Sequence, residues 1–218
     1  DMISDQNRIL FVHIPKCAGS SIKRLLRGVN NISFKHDNWH HSVGFLMKAL
    51  KKEKKDPSQY FKFCISRNPY DRLVSAFSYT FDKVINKKDY HWRQYKKAYP
   101  VIEKHITPES KIESFQKFIQ SDDFVRMLKG NLLPVHFRPQ FGFISVDNEL
   151  QMDHIGRLED MDSTLTFLEE KININRAKIH VNATVHDSYK LFYNDHCIEK
   201  AIEFYKEDFI NLEYSLDL

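Results

Sequence analysis

Twice within its first 85 residues the chain runs a short apolar stretch into a turn and then into a helical pattern. Arg8–Ile14 is a β-branched and aromatic run that reads as a buried strand. It stops at Pro15 and enters the small-residue turn Lys16-Cys17-Ala18-Gly19-Ser20. Ser21–Arg27 then reads as a helix, with Ile22, Leu25 and Leu26 on one face and Gly28 as its stop. Tyr60–Ser66 repeats the pattern as a second buried strand, and Arg67-Asn68-Pro69 turns it into a helix. Pro69 suits the first helical position, and Leu73, Val74, Phe77 and Phe81 form the buried stripe. Strand, tight loop and helix, repeated, predict parallel strands with right-handed crossovers, the beginning of a doubly wound α/β fold.

The remaining segments fill out one domain, residues 1–218. His41–Lys52, Ile112–Leu128, Thr164–Lys171 and Asp187–Ile210 carry helical periodicity, and His136–Ile155 is extended and rich in turns. Residues 83–110 are polar, basic and Tyr-rich, expected as helix with a long loop. No internal repeat, low-complexity tract or linker divides the chain, and 42% hydrophobic content supports a substantial core. No apolar stretch is long enough to span a bilayer. The opening residues Asp1-Met2-Ile3-Ser4-Asp5-Gln6 do not resemble a secretory signal, and Asp1 points to a trimmed chain or a remnant of expression, which leaves a removed anchor open. Cys17, Cys64 and Cys197 lie far apart and show neither metal-ligand spacing nor a disulfide framework. They are expected as buried free thiols, which favours a reducing compartment.

Charge is unevenly spread. Residues 1–110 hold 21 Lys/Arg against 10 Asp/Glu, and residues 111–218 hold 12 against 19, so a +11 half adjoins a −7 half. That asymmetry points to an anionic ligand on the N-terminal part, whereas the run Lys51-Lys52-Glu53-Lys54-Lys55 taken alone reads as solvated surface.

Both turns are suited to anions. In Pro15-Lys16-Cys17-Ala18-Gly19-Ser20-Ser21 the small residues let backbone N–H groups converge, and the following helix N-terminus adds partial positive charge. Lys16 supplies a full charge at the mouth. The turn is not a Walker A loop, because the lysine precedes the glycine, which places it at the far end of a phosphate chain. An ordinary strand–helix turn is the alternative. In Arg67-Asn68-Pro69-Tyr70-Asp71-Arg72-Leu73-Val74-Ser75, Arg67 ends a buried strand where parallel sheets present ligand residues, and Ser75 follows about two helical turns on. A guanidinium fork and a hydroxyl could grip a second anionic group. Asp71 and Arg72 read as a helix-terminus salt bridge.

His13-Ile14-Pro15-Lys16-Cys17-Ala18-Gly19-Ser20-Ser21 resembles the 5′-phosphosulfate loop of the membrane-associated carbohydrate sulfotransferases and their bacterial relatives, of which the heparan sulfate 2-O-sulfotransferase group is one branch. Arg67–Phe77 resembles that family's 3′-phosphate motif. His136-Phe137-Arg138-Pro139-Gln140, Ile155-Gly156-Arg157-Leu158-Glu159-Asp160 and His180-Val181-Asn182-Ala183-Thr184 are also similar, so the resemblance runs from about residue 9 to 214. It implies a P-loop-like three-layer α/β sandwich with a central parallel sheet flanked by helices. It further implies 3′-phosphoadenosine 5′-phosphosulfate (PAPS) as sulfuryl donor and a carbohydrate hydroxyl as acceptor. By the same resemblance Lys16 and the amides of Cys17, Ala18, Gly19, Ser20 and Ser21 hold the 5′-phosphosulfate, and Arg67 and Ser75 hold the 3′-phosphate. The chain departs from the family in Cys17, where Thr is usual, and Ala18, where Gly is usual. The first removes a hydroxyl that could touch phosphate; the second requires a backbone that tolerates a Cβ.

The family's reaction is in-line transfer, in which a base takes the acceptor proton and Lys16 neutralises the leaving oxygen. Histidine suits the base, and His40 and His41 lie where the family carries it; His41 is favoured as the residue at the helix start, with His40 as the fallback. His36, His91, His105, His154, His186 and His196 carry no distinguishing mark, and His13 in the strand is expected as a core histidine. No metal is expected, since adjacent histidines without a carboxylate or cysteine cluster ligate poorly. Two rival functions remain. A kinase would need magnesium and an acidic ligand that neither turn supplies. A non-catalytic module for acidic glycan or nucleic acid would rest on the basic half, yet no nucleic-acid fold is recognisable. A strand beginning within ten residues of the start favours a bacterial-type cytoplasmic enzyme, with a Golgi lumenal ectodomain, consistent with the sequons Asn31-Ile32-Ser33 and Asn182-Ala183-Thr184, as the alternative.

Overall fold

In the computed structural model, β2 (Ile9–Val12) lies parallel to β3 (Phe61–Ser66), with Val12 opposite Cys64. The structure describes residues 2–27, 40–87, 93–130, 132, 134–172, 174 and 188–218. Gly28, His36, His91, His186, the segment 180–184 and both sequons lie outside the described residues. The chain gathers into two compact units, one drawn from residues 1–68 and 140–184, the other from 69–139 and 185–218.

The first unit is built on a four-stranded sheet. β1 (Met2–Ser4) runs antiparallel on β2, and β3 pairs in parallel with the strand His154–Arg157, Ser66 opposite Arg157. β2 is wholly buried, which explains its continuous Ile-Leu-Phe-Val composition. Helices flank this mostly parallel sheet, as the sequence predicts. α1 (Gly19–Arg27) buries Ile22, Leu25 and Leu26, and α2 (Val43–Lys52) buries Val43, Leu46 and Leu50. α2 starts two residues later than its apolar pattern predicts, because Ser42 is its cap: Oγ accepts the Phe45 N–H at 3.4 Å. His40 and His41 therefore precede the helix. The helix Met161–Ile172 packs on the strand His154–Arg157 at Gly156, where a Cβ would lie 2.4 Å from Thr164. Ahead of that strand Ser145–Val146 and Glu149–Leu150 form a hairpin whose two turn residues, Asp147 and Asn148, both have positive φ, as a tight turn of this length requires.

The second unit is helical. α3 (Pro69–Ile85) begins at Pro69 and buries Leu73, Val74, Phe77 and Phe81. The helical period across 112–128 resolves into two helices, Lys111–Ile119 and Asp122–Lys129, separated where Ser121 caps the second. Phe115 packs edge-on against Phe77, Phe118 stacks on Phe77 with its plane 27° away, and Phe124 packs edge-on against Phe118. The basic segment contains the short helices Arg93–Lys96 and Tyr99–Glu103, and the chain closes with Asp195–Phe204 and Lys206–Asn211. Arg72, expected in a helix-terminus salt bridge, has a buried place in the second unit. It is 0% exposed, its Nη2 donates to the carbonyls of His136 (3.2 Å) and Arg138 (2.7 Å), and its guanidinium faces the Tyr205 ring. A buried guanidinium needs hydrogen-bond acceptors, and these two carbonyls are among those it has.

Candidate active site

β2 and β3 run in the same direction, so the turns that follow them emerge at one edge of the sheet. The first turn is set by its own backbone. Lys16 (φ 68°) and Ala18 (φ 53°) both adopt the left-handed conformation, which costs an L-residue roughly 1–2 kcal/mol each. Ala18 thus tolerates its Cβ at a price, and its carbonyl accepts the Ser21 and Ile22 N–H groups that open α1. The N–H groups at the start of α1, beginning with Gly19 and Ser20, precede the helix's own acceptors, and Ser20 is exposed. Gly19 is needed for a different reason: a Cβ there would lie 1.7 Å from the His13 ring, which covers its Cα.

Cys17 turns inward. Its buried thiol lies 3.4 Å from Gln140 Oε1 and 3.6 Å from the Pro15 carbonyl, both acceptors for the S–H. The side chain that stands where the family usually has Thr is therefore a packing and bracing group, not a surface that meets a ligand.

The second turn is held by side chains. Gln140, 0% exposed, clamps Arg67 on both sides: Oε1 accepts the Arg67 N–H at 3.0 Å and Nε2 donates to its carbonyl at 2.8 Å. The Asn68 N–H donates to Glu159 at 2.6 Å, and Ser66 Oγ donates to the Gly156 carbonyl at 3.1 Å. Arg67 is 8% exposed, and its Nη1 donates to the Lys16 carbonyl at 3.1 Å. The structure thus brings Lys16, Cys17 and Arg67 together. Ser75 belongs to the second unit, buried two turns into α3.

The two candidate bases are held differently. His40 Nδ1 lies 3.0 Å from the His13 carbonyl, and the two rings are 4.3 Å apart. A carbonyl only accepts, so Nδ1 carries the hydrogen and a neutral His40 presents an unprotonated Nε2. His41 instead lies flat on Phe45, with centroids 4.2 Å apart and planes 9° from parallel. Two contributors have no role assigned from the sequence: Gln140, which lies in the similar segment 136–140 but 73 residues from its partner, and the His13 carbonyl, which no residue identity marks. Among the described residues no group of His, Cys, Asp and Glu is arranged to hold a metal ion, and no helix is long and apolar enough to cross a membrane.

Comparison with known proteins gives the family. The profile of the sulfotransferase family matches residues 2–215. Carbohydrate sulfotransferase 10 of Gallus gallus is 32% identical over 136 residues, covering 58% of this chain and 36% of the relative. Carbohydrate sulfotransferase 14 of Danio rerio is 24% identical over 181 residues, covering 78% and 47%. The human carbohydrate sulfotransferase 10 is 29% identical over 136 residues, covering 58% of this chain and 36% of the relative. The chain thus spans between a third and a half of the length of these relatives. No solved structure matches it. These matches overturn the bacterial-type cytoplasmic expectation, because the relatives are vertebrate carbohydrate sulfotransferases, enzymes of the Golgi and the secretory pathway. That expectation leaned on where the first strand falls in the chain, and a chain spanning part of its relatives gives that position no weight.

Proposed function

Because the chain belongs to the sulfotransferase family, we propose that it transfers the sulfuryl group of PAPS to a carbohydrate hydroxyl, acting as a single domain over residues 1–218. The observation that carries this reading is the junction of the Lys16–Ser21 turn with Arg67, a cationic pair of turns at the sheet edge with a hydrogen-bonded histidine beside them. Lys16 and the amides of residues 17–21 hold the 5′-phosphosulfate. Arg67 holds the 3′-phosphate, and Ser75 is assigned to the same group by the motif it shares with Arg67.

PAPS supplies an activated sulfuryl group. His40 Nε2 takes the proton of the acceptor hydroxyl as its oxygen bonds to sulfur. Lys16 stabilises the negative charge on the bridging oxygen as the bond from that oxygen to sulfur breaks and adenosine 3′,5′-bisphosphate departs. Support for His40 over His41 comes from its Nδ1 bond, which fixes both the tautomer and the ring. The basic N-terminal half favours an acidic glycan, whose KM should rise strongly between roughly 50 and 200 mM salt as exposed charges are screened.

Incubation with PAPS and a glycan panel, read by mass spectrometry, tests the reaction. A sulfated glycan is expected from the parent, and His40→Ala should lower kcat by about 10²–10⁴-fold while leaving bisphosphate binding intact. Parental kcat in His40→Ala with a collapsed kcat in His41→Ala would move the base to His41. A thermal shift with ATP–magnesium and none with the bisphosphate would replace the transferase with a kinase.

A further inference from the structure

The hydrogen bonds around the two turns close on themselves. The Cys17 thiol lies 3.4 Å from Gln140 Oε1, Gln140 grips the Arg67 backbone at N–H and C=O, and the Arg67 guanidinium returns to the carbonyl of Lys16, the neighbour of Cys17. Every link is short, and Gln140 and Cys17 are shielded from solvent. A primary amide accepts and donates from adjacent atoms at every pH, which is what gripping one residue's N–H and C=O together requires. Leucine or methionine of similar size would leave both Arg67 backbone groups buried without this partner.

We propose that Gln140 is a positioning residue that couples the 5′-phosphosulfate and 3′-phosphate subsites. It touches neither phosphate. It sets where the Arg67 backbone leaves β3, and through Arg67 and Cys17 it sets the Lys16 turn, so a 3′-phosphate that draws on the Arg67 guanidinium acts on a ring that also fixes the 5′ cradle. The preference for a donor bearing a 3′-phosphate then depends on Gln140 as well as on Arg67. This inference rests on the donor-binding reading above.

Calorimetry with adenosine 3′,5′-bisphosphate and adenosine 5′-monophosphate tests it, the readout being the ratio of the two affinities. The parent should prefer the bisphosphate; a parent with no preference would overturn the donor reading, and this inference with it. With that preference established, Gln140→Met should reduce the ratio about tenfold or more, and a parental ratio in the folded variant would overturn the coupling alone. Gln140→Glu keeps the shape and settles the matter if the methionine variant does not fold. Its ionised carboxylate cannot donate to the Arg67 carbonyl, whereas its protonated form can. The ratio in Gln140→Glu, taken relative to the parent at each pH, should therefore fall at high pH and recover as pH is lowered. A residue that only fills space would show no such recovery, and a flat relative ratio would refute the proposal.

Discussion

Two turns leave the same edge of the sheet, and they are built by opposite means. The turn after β2 is shaped from within: left-handed backbone at Lys16 and Ala18, and a glycine pressed against the His13 ring. The turn after β3 is shaped from outside, by Gln140, Glu159 and the Gly156 carbonyl, which lie 73 to 91 positions further along the chain. A turn of the first kind depends first on its own residues, and distant ones reach it through the links of Cys17 to Gln140 and of the Lys16 carbonyl to Arg67. A turn of the second kind has the reverse sensitivity. The contrast also gives a physical role to the familiar segments 136–140 and 155–160: Gln140 braces Arg67, and Gly156 and Glu159 brace its neighbours Ser66 and Asn68.

Substitutions can break this contrast, beginning with the largest effect. Lys16→Ala should reduce turnover by about 3–4 kcal/mol of transition-state stabilisation, comparable to removal of an oxyanion donor, with little change in bisphosphate affinity. Near-parental kcat would remove Lys16 from the leaving-group role. Gly19→Ala forces a Cβ into the His13 ring and should lower stability by about 1–3 kcal/mol in denaturant melts. Because His13 also holds His40, kcat should fall with it. Glu159→Ala removes the acceptor of the Asn68 N–H, in a partly exposed position, and should cost about 1 kcal/mol and weaken bisphosphate binding more than monophosphate binding. If it costs more than Gly19→Ala, or weakens both nucleotides alike, the division between an internally and an externally built turn does not hold. The smallest effect belongs to Ala18→Gly, which relieves left-handed strain but loosens the unfolded chain, for a net gain of up to about 1 kcal/mol in a thermal melt.

The same division explains what could be read from the sequence. The strand–turn–helix units, the Pro69 start of α3 and the Lys16 turn are written in contiguous residues, so local patterning finds them. The helix boundaries at Ser42 and Ser121 depend on single capping hydroxyls, which the apolar period overruns. Gln140, Glu159 and Arg72 act across 64 to 91 residues, and a long-range hydrogen bond leaves no local mark. Arg72 beside Asp71 presents the local pattern of a helix-terminus salt bridge, which gives no hint of its burial or of its two carbonyl partners. Of the candidate site residues, the donor turns follow from pattern and resemblance. The distinction between His40 and His41 depends on a carbonyl that only folding places.

The inward-facing thiol of Cys17 makes the site a clock for its own opening. Cys64 and Cys197 are likewise buried, and burial pushes both of those thiols up from their ordinary range, so neither reacts readily from the folded state. Cys17 sits in a turn rather than a strand or helix, and a reagent reaches it only when that turn lifts away from Gln140. Its alkylation in dilute reagent therefore counts local excursions of the donor cradle, separately from global unfolding, which would expose all three cysteines together.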